Sequence, residues 1–242
     1  GGVGRVLAPG DDPVDPTAQL VKDVWVVGAK QARMPLSIVH RAPPQVDFGS
    51  SIPRRAADAL FWLGRAAERA ETAARAARAI SEQMGQDPTI TTLAHGGWAT
   101  GALALLRAAR GAPLGTIDDP AAVLPYSERL HHELLATQQA VVDQIAILVQ
   151  EAMSVRNFLS FMTVRVIGRL ARVRSELVGR DATVDDLDVI LVDLAALAGL
   201  VTESTVRGPA WRFLDLGRRL ERALGVLGLL EAGVGFAVEQ LA

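Results

Sequence analysis

The chain has 242 residues, a net charge of −2 and no cysteine, and half of its residues are hydrophobic. That length and hydrophobic content suffice for one large domain with a sizeable core. The near-neutral charge gives no electrostatic footprint for nucleic acid or an anionic membrane. The lack of cysteine excludes disulfides, thiol catalysis and cysteine-based zinc sites. We identify no transmembrane segment or signal peptide and expect a cytoplasmic protein.

The N-terminal part of the chain differs in kind from the rest. Gly4 to Ala8 and Leu20 to Val27 are short runs rich in valine and leucine, and they predict two short strands. Residues 31–52 contain several prolines and predict a linker. We therefore divide the chain into a β fragment (1–30), a Pro-rich linker (31–52) and a helical domain (53–242).

Helical patterns dominate the third of these regions. A first long helix is predicted from about Arg54 to Met84, with Leu60, Leu63, Ala67, Ala70 and Ala74 as one apolar stripe. Residues 126–177 are periodic over a span too long for one ordinary helix, so a break is expected near 154–160. The fold class is therefore all-α, a helical bundle preceded by a short β fragment.

The last two helices have recognisable start signals. Thr183 is a good N-cap residue, with Asp185 and Asp186 in the first turn of the helix that follows. Gly208-Pro209 predicts the start of the final helix, because proline is favoured at the first helical position.

One motif occurs twice in the helical region. It reads LGRAAERA at residues 63–70 and LGRRLERA at residues 216–223, and aromatic residues precede both copies. Two such copies predict duplicated helices with a shared packing role. Trp62 and Trp211, in the aromatic lead-ins, are expected to anchor the core.

Each copy of the motif centres on a glutamate flanked by arginines. On a helix, Arg65 can reach Glu68 at i+3, and Glu71 can pair with Arg75 at i+4. One interpretation is a charge network that fixes helix register. The other is a cleft that recognises an anion or carboxylate, in which arginines bind the ligand by bidentate hydrogen bonds.

These motifs resemble those of a known family. FWLGR at 61–65 with ERAE at 68–71 resembles the opening helix of the bacterial alpha-E domain family, also called DUF403. SVR at 154–156 resembles its central motif, and WRFL at 211–214 with GRRLERA at 217–223 resembles its later motif. The resemblance covers about residues 54–230. Residues 1–6 and 22–26 resemble the tail of the circularly permuted ATP-grasp domain that is encoded beside alpha-E or fused to it.

The resemblance implies an accessory helical domain of an ATP-grasp carboxylate–amine ligase-like system. The partner would be the ATP-grasp domain, in cis or in trans, and the substrate a peptide or an amino-acid-like molecule. ATP and magnesium are implied for the full fusion, and no cofactor for this chain alone. Arg5, Lys22 and Asp23 match the ATP-grasp tail, and Lys22 and Asp23 would lie near its nucleotide cleft.

On this interpretation the charged motif residues form a central network. Glu68 and Glu221 are the candidate catalytic residues. The candidate ligand-binding residues are Arg65, Arg69, Glu71, Arg156, Arg218 and Arg222.

Two alternatives stay open. One is a non-catalytic module that docks partner proteins through its alanine-rich helices. The other is a stand-alone helical enzyme that uses Glu68 as acid and base, although flanking arginines favour the charged form of a carboxyl. No metal site is predicted, because the adjacent rings of His131 and His132 diverge by about 100° on a helix and no HExxH motif occurs.

Overall fold

The computed structural model describes residues 2–5, 21–24, 52–86, 97–112, 125–204 and 207–241. The chain divides into two compact units, residues 1–46 and residues 47–242. The predicted linker, residues 31–52, lies outside the described residues except for its last residue.

The first unit contains a pair of short antiparallel strands. β1 (Gly2–Arg5) pairs with β2 (Val21–Val24), so that Gly2 lies opposite Val24 and Arg5 opposite Val21. The two predicted strands are therefore present, and the first begins two residues earlier than its hydrophobic run suggested. Valine is well suited to extended backbone because its branched Cβ restricts χ1.

The second unit is helical, as predicted. Its helices are α1 (Arg54–Gln86), α2 (Gly97–Ala109), α3 (Tyr126–Ser154), α4 (Phe161–Leu177), α5 (Val184–Ser204) and α6 (Pro209–Leu241). A short 3-10 turn, Arg156–Phe158, separates α3 from α4. The predicted break near 154–160 is thus confirmed. α2 was not predicted as a separate helix, because Gly97 and Gly101 weaken the helical signal of its first turns.

The central helix of the bundle is α1, which packs against α2, α3, α5 and α6. Leu60, Leu63, Ala70 and Ala74 on its predicted stripe are buried, and Ala67 is half-buried. Alanine is the commonest buried residue of α1. Its small side chain lets neighbouring helices approach closely while favouring helix formation. No helix in the described part of the chain has a stretch long and apolar enough to cross a bilayer.

Side-chain caps fix the starts of α4 and α5. The Ser160 hydroxyl accepts a hydrogen bond from the backbone N–H of Thr163 at 3.1 Å. The Thr183 hydroxyl accepts from the N–H of Asp186 at 3.2 Å, and the Asp186 carboxylate accepts from the N–H of Thr183 at 2.9 Å. This reciprocal arrangement is a capping box with aspartate at its third position. α6 begins at Pro209, as predicted.

Candidate functional site

The two copies of the repeated motif lie on α1 and α6 and face each other. Glu68, on α1, accepts hydrogen bonds from two arginines of α6. Arg218 donates through Nε at 2.9 Å, and Arg222 donates through Nε at 3.0 Å and through a terminal nitrogen at 2.9 Å. The carboxylate of the first copy is therefore held by two of the three arginines of the second copy.

The converse arrangement holds for the second copy. Glu221, on α6, accepts at Oε2 from Arg65 Nε and at Oε1 from Arg69 Nε, both at 2.6 Å. We call this set of six residues the reciprocal clamp: Arg65, Glu68, Arg69, Arg218, Glu221 and Arg222. Equivalent residues of the two copies play the same part, so the duplication seen in the sequence is also a duplication of contacts.

One predicted pair is wrong. The sequence spacing suggested that Arg65 binds Glu68 within α1, but Arg65 reaches across to Glu221 instead. The packing of α6 against α1 explains the difference, since it brings a carboxylate of the other helix within reach of Arg65. The predicted pair of Glu71 and Arg75 within α1 is present. Glu71 thus pairs on its own helix and lies outside the reciprocal clamp.

Two glycines of the repeat allow the helices to approach this closely. A Cβ placed on Gly64 would overlap the carbonyl oxygen of Leu214 on α6. A Cβ placed on Gly217 would overlap the carbonyl oxygen of Phe61 on α1. Each overlapped carbonyl belongs to the residue three positions before the glycine of the other copy. The glycines therefore bring the backbones into contact just before the position where the clamp forms.

The clamp carboxylates are nearly removed from solvent, and their charges are compensated. The Glu68 side chain is 6% exposed and that of Glu221 is 12% exposed. Hydrogen bonding to Glu68 raises the pKa of Arg222 above its already high ordinary value, and this arginine stays charged. Burying an ion pair contributes little net stability, but removing one partner is costly because a buried charge is left without compensation.

The structure places the other predicted site residues elsewhere. Arg156 is exposed on the turn between α3 and α4, and among the described residues no ion pair joins it to the clamp. Arg5 lies on β1, while Lys22 and Asp23 lie on β2, within the first unit. In the strand register Lys22 lies opposite Gly4.

Other buried charges were not found by sequence reasoning. Glu133, on α3, is buried and accepts hydrogen bonds from Arg107 and from Arg110. Asp193, on α5, is buried and pairs with Arg169 of α4. In both cases the partners lie more than twenty residues apart in the sequence, so no local spacing indicates them.

The two histidines that precede Glu133 lie at the surface. His131 and His132 are both exposed on α3. Within the described residues, no group of three or more histidine, cysteine, aspartate or glutamate side chains could hold a metal ion.

The two tryptophans differ in their surroundings. Trp62 was expected in the core, but the residue is 44% exposed. It lies against Arg65, whose guanidinium carbon is 4.9 Å from the ring centroid, and this cation–π contact covers one arginine of the clamp. Trp211 is partly buried and packs against the core.

Each clamp carboxylate also borders a cleft. A cleft of about 720 Å³ lies beside Glu221 and Arg69, between α1, α2, α3 and α6. A second cleft, of about 710 Å³, lies beside Glu68 and Arg222. Both volumes fall within the range of about 300–1,000 Å³ that is usual for small-molecule sites.

The repeat, the helical fold and the clamp agree with a family comparison. Residues 52–240 match the model of the Alpha-E family, described as a predicted alpha-helical domain with a conserved ER motif. The chain belongs to the Alpha-E family. Glu68-Arg69 and Glu221-Arg222, both in the clamp, are Glu-Arg pairs within the matched range.

The Alpha-E chain is also similar to longer mycobacterial proteins. It is 28% identical over 257 aligned positions to the uncharacterized protein Rv2567 of Mycobacterium tuberculosis H37Rv, and equally to Mb2597 of Mycobacterium bovis. Each alignment covers 96% of this chain and 28% of the relative, so the chain spans less than a third of those proteins. The alignment also extends beyond residues 52–240 into the segment that precedes the Alpha-E domain. No solved structure matches the chain.

Proposed function

We propose that this chain joins the end of an ATP-grasp domain to an Alpha-E domain, which serves as the accessory domain of a carboxylate–amine ligase. The observation that carries the proposal is the similarity to longer proteins, which extends through the segment before the Alpha-E domain. That segment contains an antiparallel strand pair with Lys22 and Asp23 on its second strand. A strand pair is compatible with the tail of an ATP-grasp domain, which the sequence resembles.

The clamp favours an accessory role for the helical domain over a catalytic one. A carboxyl that acts as a general acid must hold a proton near neutral pH. Both oxygens of Glu68 and both oxygens of Glu221 already accept hydrogen bonds from guanidinium groups of the facing helix, so neither carboxyl has an oxygen left to carry a proton to a substrate. We therefore assign the clamp the task of holding α1 and α6 in register, so that the surfaces beside them keep their shape.

ATP and magnesium belong to the proposed ATP-grasp part of the longer protein. Arg5, Lys22 and Asp23 match the tail of that part, and Lys22 and Asp23 would lie close to its nucleotide site. The helical domain supplies no step of phosphoryl transfer in this proposal. Its contribution is to bind and orient a substrate or a product.

A second candidate function is a protein-interaction module. The observation in its favour is a row of exposed apolar side chains on α6, which recur at helical spacing: Leu216, Leu220, Leu227 and Leu230. Such a face is typical of helices that dock against another helix. A stable complex with another protein, in the absence of any ligase activity, would favour this function.

The test uses the longer protein that the proposal implies, in which an ATP-grasp domain and this chain are joined. It is incubated with ATP, magnesium and pools of amino acids and dipeptides, and the release of ADP and the masses of new products are measured. We expect ATP-dependent formation of an amide. A variant without residues 52–241 should retain nucleotide binding and lose most product formation. No ADP release with any pool, or full activity without the helical domain, would contradict the proposal.

A further inference from the structure

The cleft beside Glu221 has walls made largely of small residues. The small residues of its lining are Ala73, Ala108, Ala109, Ala140, Gly225 and Gly228. Gly111, at a φ of 70°, ends α2 at the edge of the cleft. Its N–H donates to the carbonyl of Ala108, which closes the end of the helix. The cleft is thus built from four helices and one helix terminus.

Two arginines on this lining keep hydrogen-bond donors after their ion pairs are made. Arg69 donates through Nε to Glu221, and Arg110 donates through one terminal nitrogen to Glu133. A guanidinium group has five N–H donors, so each arginine has donors that bond no other described residue. Guanidinium donors suit a carboxylate, which they can bind with two parallel hydrogen bonds.

An acceptor for a positive charge lies on the same lining. Glu231 is exposed, and it accepts no hydrogen bond from a described residue. Among the described residues of the lining the charges balance, with Arg69 and Arg110 against Glu221 and Glu231. A simple anion would meet the free carboxylate of Glu231 without compensation, which disfavours it relative to a ligand with both charges.

We propose that this cleft binds a small zwitterion with a free carboxylate and a free amine, either an amino acid or a short peptide. Its carboxylate lies against Arg69 and Arg110, and its ammonium group lies near Glu231. The walls of alanine and glycine favour ligands with small side chains. That the cleft binds such a ligand is argued from the cleft alone. That the ligand is the substrate of the ligase rests on the function proposed above.

The test is isothermal titration calorimetry on the full 242-residue chain. The probes are glycylglycine, its C-terminal amide, its N-acetyl derivative and inorganic phosphate. We expect saturable binding of glycylglycine. Removal of either charge should weaken binding about tenfold or more, since each charge-assisted contact contributes about 1.5–3 kcal/mol. Phosphate should bind more weakly than glycylglycine.

Two variants of lining residues and one control variant locate the site without changing a clamp residue. Gly225→Leu places a large side chain on the lining of the cleft, and its Cβ would make only an ordinary contact, 3.8 Å from the Thr72 hydroxyl. Gly168→Leu is the matched control, on an exposed position of α4 with nothing within 4 Å of a Cβ. We expect Gly225→Leu to abolish binding and Gly168→Leu to leave it unchanged. Glu231→Gln should weaken the binding of glycylglycine about tenfold and have little effect on its N-acetyl derivative.

Several results would overturn the assignment. The first is that glycylglycine shows no saturable binding to the unaltered chain. The second is that phosphate binds as tightly as glycylglycine, and the third is that glycylglycine still binds to Gly225→Leu. The test is independent of ligase activity. Dipeptide binding by this chain without ADP release by the longer protein would refute the ligase proposal and leave the cleft assignment. Ligation without such binding would refute the cleft assignment alone.

Discussion

Glu68 and Glu221 exchange partners: each carboxylate is held by the arginines three positions before and one position after the other glutamate. The two copies of the motif therefore bind each other across the contact between α1 and α6. The clamp arginines of each copy bind the glutamate of the other copy, whereas Arg219, the remaining arginine of the second copy, pairs with Asp215 on its own helix. The motif stabilises a particular contact between α1 and α6 rather than either helix alone.

Gly64→Ala should destabilise the protein, although alanine is the better helix former. The added methyl would overlap the carbonyl oxygen of Leu214, and we expect a loss of about 2 kcal/mol in the free energy of unfolding, a usual magnitude for overpacking. Gly217→Ala should behave alike because it meets Phe61 in the same way. Urea denaturation measures both.

Gly168→Ala is the control for these variants. Nothing lies within 4 Å of a Cβ at this exposed position of α4, so helix propensity alone should stabilise the protein by about 1 kcal/mol. If Gly64→Ala were stabilising to the same extent, α1 and α6 would not be in close backbone contact.

Asp186→Asn should lower stability in a pH-dependent way. A hydrogen bond from Arg180, followed by those from Thr183, holds the pKa of Asp186 well below its ordinary value. A carboxyl whose pKa is lowered on folding stabilises the protein above its unfolded pKa, about 4, and loses that contribution as the pH falls further. The difference in unfolding free energy between Asp186→Asn and the unaltered chain should therefore be largest at neutral pH and shrink below about pH 4.

Asp185→Asn serves as the control for that titration. Asp185 lies in the same first turn of α5 and accepts no hydrogen bond from a described residue. Both variants are measured by urea denaturation at pH 7 and at pH 3. At pH 7, Asp185→Asn should lower the free energy of unfolding less than Asp186→Asn does. Equal effects would mean that the helix dipole, rather than the Arg180 contact, accounts for the stabilisation.

Glu133→Gln should be strongly destabilising. The substitution keeps the shape of the side chain but leaves Arg107 and Arg110 without the buried carboxylate that both contact. Loss of one partner of a buried ion pair costs about 3–5 kcal/mol, and we expect the lower end because Arg110 is partly exposed. His132→Ala, one position away and exposed, should change the midpoint of urea denaturation very little. Comparable losses in the two variants would contradict the buried role of Glu133.

Local sequence signals were sufficient for most of the helical architecture. Thr183 with Asp186, and Pro209 after Gly208, mark helix starts through hydrogen bonds or dihedral preferences that act within one turn. The break after Ser154 was predicted because the periodic span was too long for one helix. Such features depend on neighbours in the chain, and the sequence contains them.

The ion-pair partners of the charged residues could not be predicted from local sequence signals. Arg65 has Glu68 within reach on its own helix, but binds Glu221, which lies 156 residues away. The choice depends on how α6 packs against α1, and that packing depends on Gly64 and Gly217. The burial of Trp62 was predicted wrongly for a related reason. Trp62 lies beside the buried stripe of α1, but its ring packs on the guanidinium group of Arg65 rather than in the core.

The most direct test of the clamp is a pair of double-mutant cycles measured by urea denaturation. One cycle combines Glu68→Gln with Arg218→Gln across the two helices, and the other combines Glu68→Gln with Arg65→Gln within α1. We predict a coupling energy of about 1–3 kcal/mol in the first cycle and less than about 0.5 kcal/mol in the second, because only the first pair is in contact. Strong coupling of Glu68 to Arg65, with none to Arg218, would contradict the exchange of partners between α1 and α6.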